Sequence, residues 1–251
     1  MIKFFRKIRQ NMIKENRTSK YLLYAIGEIV LVVIGILIAL QVNNLNESSK
    51  NDVKAEKFLM KLKNQIERNI ETVELQQAQN NQFLEISERL ISLTNTNSGK
   101  NIETKLDTLV LVNSFDFNLN LDMLSLSEAR NNGDLDLVKS DSLTLNIYKF
   151  IKLYDDLMVR EKVTNEDLTM NFKPYLNKHY NVRNLVYMNG YPELKKSTFN
   201  QKKNIQILSD QVFENLLVTR FLFLIDIYEL NESLLQLLKK INTELQLITN
   251  D

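Results

Sequence analysis

Residues 21 to 40 read YLLYAIGEIVLVVIGILIAL, a run in which only Gly27, Glu28 and Gly35 interrupt the apolar side chains. At about 1.5 Å per residue, a helix of that length reaches roughly 30 Å, the thickness of a bilayer's hydrocarbon core. A soluble core rarely needs so long an unbroken apolar run. The stretch therefore reads as one transmembrane span over residues 21–42, and it divides the rest of the chain into two sides. Glu28 is the exception inside it. An acid at the centre of a span costs about 2.5 to 3.5 kcal/mol, less towards its ends, and about a dozen Leu, Ile and Val side chains at roughly 0.3 to 0.6 kcal/mol each offset that cost.

Working outward, the amino-terminal side carries Lys3, Arg6, Lys7, Arg9, Lys14, Arg17 and Lys20 against one acid, Glu15. Bases crowded beside a span hold their end in the cytoplasm, so residues 43–251 are expected outside. Phe4, Phe5, Ile8, Met12 and Ile13 fall near helical spacing, which makes residues 1–20 a basic amphipathic segment lying on membrane lipid. A cleavable signal peptide would have a shorter apolar region and a small-x-small cleavage site. Here QVNNLNE follows, with Ala39 as the one small residue nearby, and an uncleaved signal anchor is the better reading. Beyond residue 42 there are 25 basic and 29 acidic residues, which is no nucleic-acid footprint. Cysteine is absent, which excludes disulfides, thiol nucleophiles and thiolate metal sites.

MIKFFRKIRQ, followed by SKYLLYAIGEIVLVVIGILIALQVNNLNE, resembles the signature of a membrane-anchored family of unknown function from Bacteroidota, especially flavobacteria. The resemblance is dense over residues 1–47 and sparser at NNGDLDLVKSDSL (131–143) and VFENLLVTR (212–220). Many members have Trp where Leu45 stands. What the resemblance implies is a bacterial inner-membrane location and a helical domain in the periplasm; it carries no catalytic residues.

The expected fold is all-α: the anchor, then an extracytoplasmic bundle of long antiparallel helices over residues 43–251. From Val53, a stripe of Ala55, Phe58, Leu59, Leu62, Ile66, Ile70 and Val73 recurs at steps of three and four and resumes at Phe83, Leu84, Leu90 and Ile91. Between these blocks Gln77 and Asn80 or Asn81 place a polar layer on the stripe, and Gly99 suits a left-handed helix end. Shorter helices are expected at 102–112 and 119–131, with Asn-Asn-Gly at 131–133 as a stop. Ser140 then caps a helix with a stripe of Leu143, Ile147, Phe150, Ile151, Tyr154, Leu157 and Met158, and Pro174 predicts a break or kink just before itself. Residues 181–208 lack periodicity and read as a surface loop. The last helix, 209–248, has its most buried portion expected at FLFLIDIY (221–228).

Little catalytic chemistry is visible. His179 is the sole histidine, so His-pair metal sites are excluded, no metal or cofactor is expected, and nothing nearby builds a triad around that imidazole. Asp155 and Asp156 are adjacent on a helix and point in different directions. Lys195, Lys196, Lys202 and Lys203, with Phe199 among them, form a basic patch, but on the outer side of a membrane it has little access to nucleic acid. The expectation is a non-enzymatic interaction or scaffold module with an unidentified protein partner. The alternative is a ligand-binding sensor that signals through another membrane protein, since about twenty cytoplasmic residues hold no output domain. Within the span, Glu28, Leu31, Gly35 and Ala39 share one broad helical face, where the small side chains of Gly35 and Ala39 would let a second copy of the chain approach.

Overall fold

The computed structural model describes residues 18–95, 103–199 and 202–250. The amphipathic segment, the bases Lys3, Arg6, Lys7, Arg9, Lys14 and Arg17, the side chain of Lys20, and Gly99 lie outside the described residues. Two compact units divide the chain, Met1–Glu56 and Lys57–Asp251. Among the described residues the structure is 87% helical and has no strands.

The first helix, α1 (Thr18–Leu93), begins in the first unit with a window long and apolar enough to cross a membrane, none of it buried. Leu31, Gly35 and Ala39 are exposed there and Glu28 is half-buried. Gly35 has no atom within 4 Å of an added Cβ, so among the described residues nothing covers that face.

In the second unit three long helices carry the bundle: the rest of α1, α4 (Asp141–Asp167) and α8 (Gln211–Asn250). Their buried positions alternate steps of three and four, the period that keeps one face of an α-helix on a neighbour. On α8 this stripe is Phe213, Leu217, Arg220, Leu224, Ile227, Asn231, Leu234, Leu238, Ile241 and Leu245. FLFLIDIY (221–228) is the most covered portion, as its apolar sequence predicts: Leu224 and Ile227 are buried, Leu222 is the one exposed position at 56%, and the rest are half-buried, whereas residues 231–238 and 241–248 each expose three or more. The stripe runs the whole length of the helix, and the locally apolar sequence widens its half-buried margin. Asn146 and Ser142 reach Glu244 while Arg160 reaches Asp226, so α4 and α8 are antiparallel. Glu74 pairs with Lys239 and Thr94 with Glu214, which makes α1 antiparallel to α8 as well.

Shorter elements fill the remaining side: α2 (Glu103–Val112), α3 (Leu124–Asn132), α5 (Lys173–His179), α6 (Val182–Met188) and α7 (Lys202–Gln206). Gly133 ends α3 with φ +74, as Asn-Asn-Gly predicted, and the Ser140 hydroxyl accepts from the Leu143 amide at the start of α4. Helix α1 stops at Leu93, where TNTNSGK (94–100) begins and its end is expected; the left-handed residue there is Asn95, with φ +54, and its amide donates to Leu208 O at 2.7 Å. Pro174 does not break the chain's helical course. A π-helical turn, Leu168–Phe172, precedes α5, and Lys173 N–H reaches back five residues to Leu168 O. A widened turn gives room to the pyrrolidine ring and rearranges the carbonyls that Pro174 cannot serve. The buried spacing shows the inserted residue, since Thr164, Leu168 and Phe172 follow at two successive steps of four.

Two further expectations need correction. Residues 119–123 lie outside any helix, and the helix begins only at Leu124. Residues 181–208 are not a loop throughout: α6 and α7 lie within them and Asn184, Leu185, Ser197, Asn204, Ile207 and Leu208 are buried, while residues 188–196, Thr198 and Phe199 are exposed.

Candidate functional site

The extended stretch reads F-D-F-N-L-N-L-D-M over residues 115–123, a strict alternation of apolar and polar side chains. That is the period of a strand lying on an apolar surface. Phe117, Leu119 and Leu121 are buried, while Asp116, Asn118 and Asn120 are exposed. Such a strap has no helical bonds to satisfy its own amides and carbonyls, and buried backbone groups left unpaired are costly.

Side chains of the long helices supply the partners. Asn165 accepts from Phe117 N at 2.9 Å and donates to Phe117 O at 2.7 Å. Both carboxylate oxygens of Glu161 accept from Leu119 N, at 3.0 and 3.1 Å. The Tyr154 hydroxyl accepts from Leu121 N and donates to Leu119 O. Crossing to α1, Asn69 accepts from Asp122 N and donates to Asp122 O, and Gln65 accepts from Ser125 N. At the start of the strap, Arg220 Nη2 donates to Phe115 O at 2.7 Å. Two extended residues advance about 6.6 Å and four helical residues about 6 Å, so Asn165 and Glu161, one turn apart, meet Phe117 and Leu119, while Leu121 is met by the longer side chain of Tyr154, two turns farther on.

These clamps explain four of the polar residues found in the buried stripes. Gln65, Asn69, Glu161 and Arg220 are all buried. The environment of each charge is distinctive. Burial raises the Glu161 carboxyl above the usual carboxylate range, and the Leu119 N–H opposes that rise. Burial brings the Arg220 guanidinium down to about 10, against the opposing pull of Asp167 and Asp116, so it stays charged at neutral pH. Its cation lies over the rings of Phe117 and Phe172, at 5.6 and 5.7 Å from their centroids. Arg68 bonds Asp122 at 2.7 Å and holds that carboxyl below its ordinary value.

Between the strap and α4 is an open groove of about 580 Å³. Met158, Thr169 and Met170 line it together with Asp116, Glu166 and Lys162. Met170 is 75% exposed, so the groove offers flexible apolar surface beside acids.

The family model for DUF6090, a family of unknown function, matches residues 28–169. This chain belongs to the DUF6090 family. The matched DUF6090 region includes the strap, all of α4, and the residues Gln65, Asn69, Tyr154, Glu161 and Asn165, whereas Arg220 lies beyond it. It also includes NNGDLDLVKSDSL at 131–143 but neither residues 1–27 nor 212–220. No curated protein and no solved structure matches the chain.

The residues singled out in the sequence fall elsewhere. Glu28, Leu31, Gly35 and Ala39 belong to the first unit. His179 stacks on Tyr175 at 4.6 Å between ring centroids, and Tyr175 donates to Asp210 at 2.6 Å. Asp210 also accepts from Val212 N at the start of α8, so it caps that helix, and the Tyr175 hydroxyl is the main cause that lowers its carboxyl. The polar layer expected near residues 76–82 is real at Asn80, which is buried, whereas Asn81 is exposed and Gln77 half-buried. Sequence reading missed Tyr154, Glu161, Asn165 and Arg220 as a set. The signal available was the period-two run at 115–123, which identifies a segment that needs partners. Among the described residues no group of three or more His, Asp or Glu is placed to hold a metal ion.

Proposed function

We propose that this DUF6090 chain is a single-pass protein of the bacterial inner membrane, its amino terminus cytoplasmic, that displays a non-enzymatic interaction module in the periplasm. The anchor reading is supported by the unburied apolar window of α1 and by the one-sided bases before it. A carboxyl-terminal alkaline phosphatase fusion is active if the bundle is outside and inactive if it is not.

The observation that carries the interaction role is the groove beside the strap. Its floor is fixed by side-chain clamps, and its rim combines Met158 and Met170 with Asp116 and Glu166. Methionines adapt to irregular apolar partners, and the acids favour basic ones. The occupant is thus a protein segment that presents apolar and basic side chains together. A photo-crosslinking residue placed at Met170 in native membranes gives one discrete adduct, which disappears when Asp116 and Glu166 are both changed to Lys. The same residue at Leu247, which is 67% exposed, serves as the control. No adduct from position 170, or the same adducts from both positions, refutes the reading. Self-association through Glu28, Leu31, Gly35 and Ala39 is a second contact in this proposal. A transmembrane two-hybrid signal reduced by Gly35→Ile and Glu28→Leu supports it, and an unchanged signal removes it.

A further inference from the structure

Residues 177–206 carry six basic residues, Lys178, Arg183, Lys195, Lys196, Lys202 and Lys203, against one acid, Glu193. The chain from residue 43 onward has an excess of acids, so this local surplus of positive charge is opposite in sign to its surroundings. The same region exposes apolar side chains: Phe199 is 80% exposed, the largest value among the exposed hydrophobics, Tyr191 is 53% and Leu194 is 42%. An aromatic ring left in water among lysines does nothing for folding.

The loop that presents them is held in place. Arg183 donates from Nε and Nη2 to Leu194 O, Asn184 accepts from Ser197 N at 2.9 Å, and Lys196 lies over the Tyr187 ring at 5.6 Å. Lys195 is fixed at φ +51 and ψ 156, a conformation that few residues other than glycine adopt. Tyr191, Leu194 and Phe199 are therefore displayed by a braced turn flanked by Lys195 and Lys196.

We propose that this loop is a docking surface for an anionic phospholipid membrane, with Phe199, Tyr191 and Leu194 entering the boundary between headgroups and acyl chains and Lys195 and Lys196 on the phosphates. Charge complementarity selects the anionic surface, and the protruding apolar side chains select lipid over a soluble polyanion, which offers no apolar layer to enter. Acidic surface lipid attracts each lysine with a factor of about five in partitioning, so reversing two lysines costs about 25-fold or more.

The chain has no tryptophan, so Phe199→Trp supplies a single fluorescent reporter at the tip. Full-length Phe199→Trp chain is held in phosphatidylcholine nanodiscs and mixed with separate vesicles containing phosphatidylglycerol with brominated acyl chains. The expected result is a blue shift and at least about twofold quenching, absent with phosphatidylcholine vesicles and abolished by adding Lys195→Glu and Lys196→Glu. Binding through the basic amino terminus leaves the reporter unmoved, so it cannot imitate this result. Unchanged emission with phosphatidylglycerol overturns the proposal. Equal quenching by neutral vesicles, or an equal shift with heparin or an oligonucleotide in place of vesicles, overturns it too.

Discussion

The strap at 115–123 and the stripe of α8 are both apolar at regular intervals, yet they place opposite demands on their neighbours. Helix α8 closes its own backbone bonds, so its stripe needs only apolar company. The strap brings bare amides and carbonyls into the interior, and α1, α4 and α8 answer with Gln65, Asn69, Tyr154, Glu161, Asn165 and Arg220. A polar residue in a buried stripe is therefore not one category. Some are partners of the strap, and others, such as Asn231, have none: it is fully buried and neither side-chain polar atom has a hydrogen-bond partner.

That distinction can be broken by substitution, with unfolding followed by circular dichroism of the full chain in detergent. Arg220→Ala removes the Phe115 partner and a buried charge near Asp167 and Asp116, of which Asp116 keeps Lys173 at 3.4 Å, and opens a cavity between two rings; the expected loss is about 3 to 5 kcal/mol. Asn165→Ala orphans both the amide and the carbonyl of Phe117 and costs about 2 to 4 kcal/mol. Asn231→Leu should go the other way, neutral to about 1 kcal/mol more stable, because no partner is lost. A loss comparable to Asn165→Ala would place Asn231 among the structural partners after all.

The smallest effect is a slope. The folded Glu161 carboxyl lies above its ordinary value of 4.5, so its contribution to stability is fully present below the unfolded value and is lost as pH rises through the folded one. Glu161→Gln keeps an acceptor for Leu119 N and removes the buried charge. The variant should gain on the wild type as pH rises from about 4.5 towards neutrality, and a difference independent of pH would show that burial does not govern this carboxyl.

Much of the fold was legible because long helices write themselves as three-and-four stripes: the stripes over 58–91, 143–157 and 213–245, the cap at Ser140 and the stop at Gly133 were readable, although Met158 and Ile248, which extend the same spacing, are exposed. Three features were not. The strap's alternation is short, and its Leu119 and Leu121 also suit the edge of a helix, so residues 119–131 read as one helix. Pro174 signals a disturbed bond pattern but not whether the chain breaks or widens; the π turn was chosen by Leu168 and Phe172, both of which stay buried at a spacing of four. The clamps were invisible for a different reason. Glu161 and Arg220 look like ordinary surface charges until a strap lies across them, and that is a tertiary fact. The groove was likewise illegible, since its walls come from segments more than forty residues apart.

Amide hydrogen exchange along the strap tests the central claim most directly. Phe117, Leu119, Leu121 and Asp122 donate their amides to helix side chains, whereas Asp116, Asn118 and Asn120 have no such partner among the described residues. The account predicts an alternating pattern, with the amides at 117, 119 and 121 exchanging more than about tenfold slower than those at 116, 118 and 120. It also predicts that Asn165→Ala releases Phe117 first. Uniform exchange from 116 to 121, fast or slow, would contradict a strap held residue by residue from the helices.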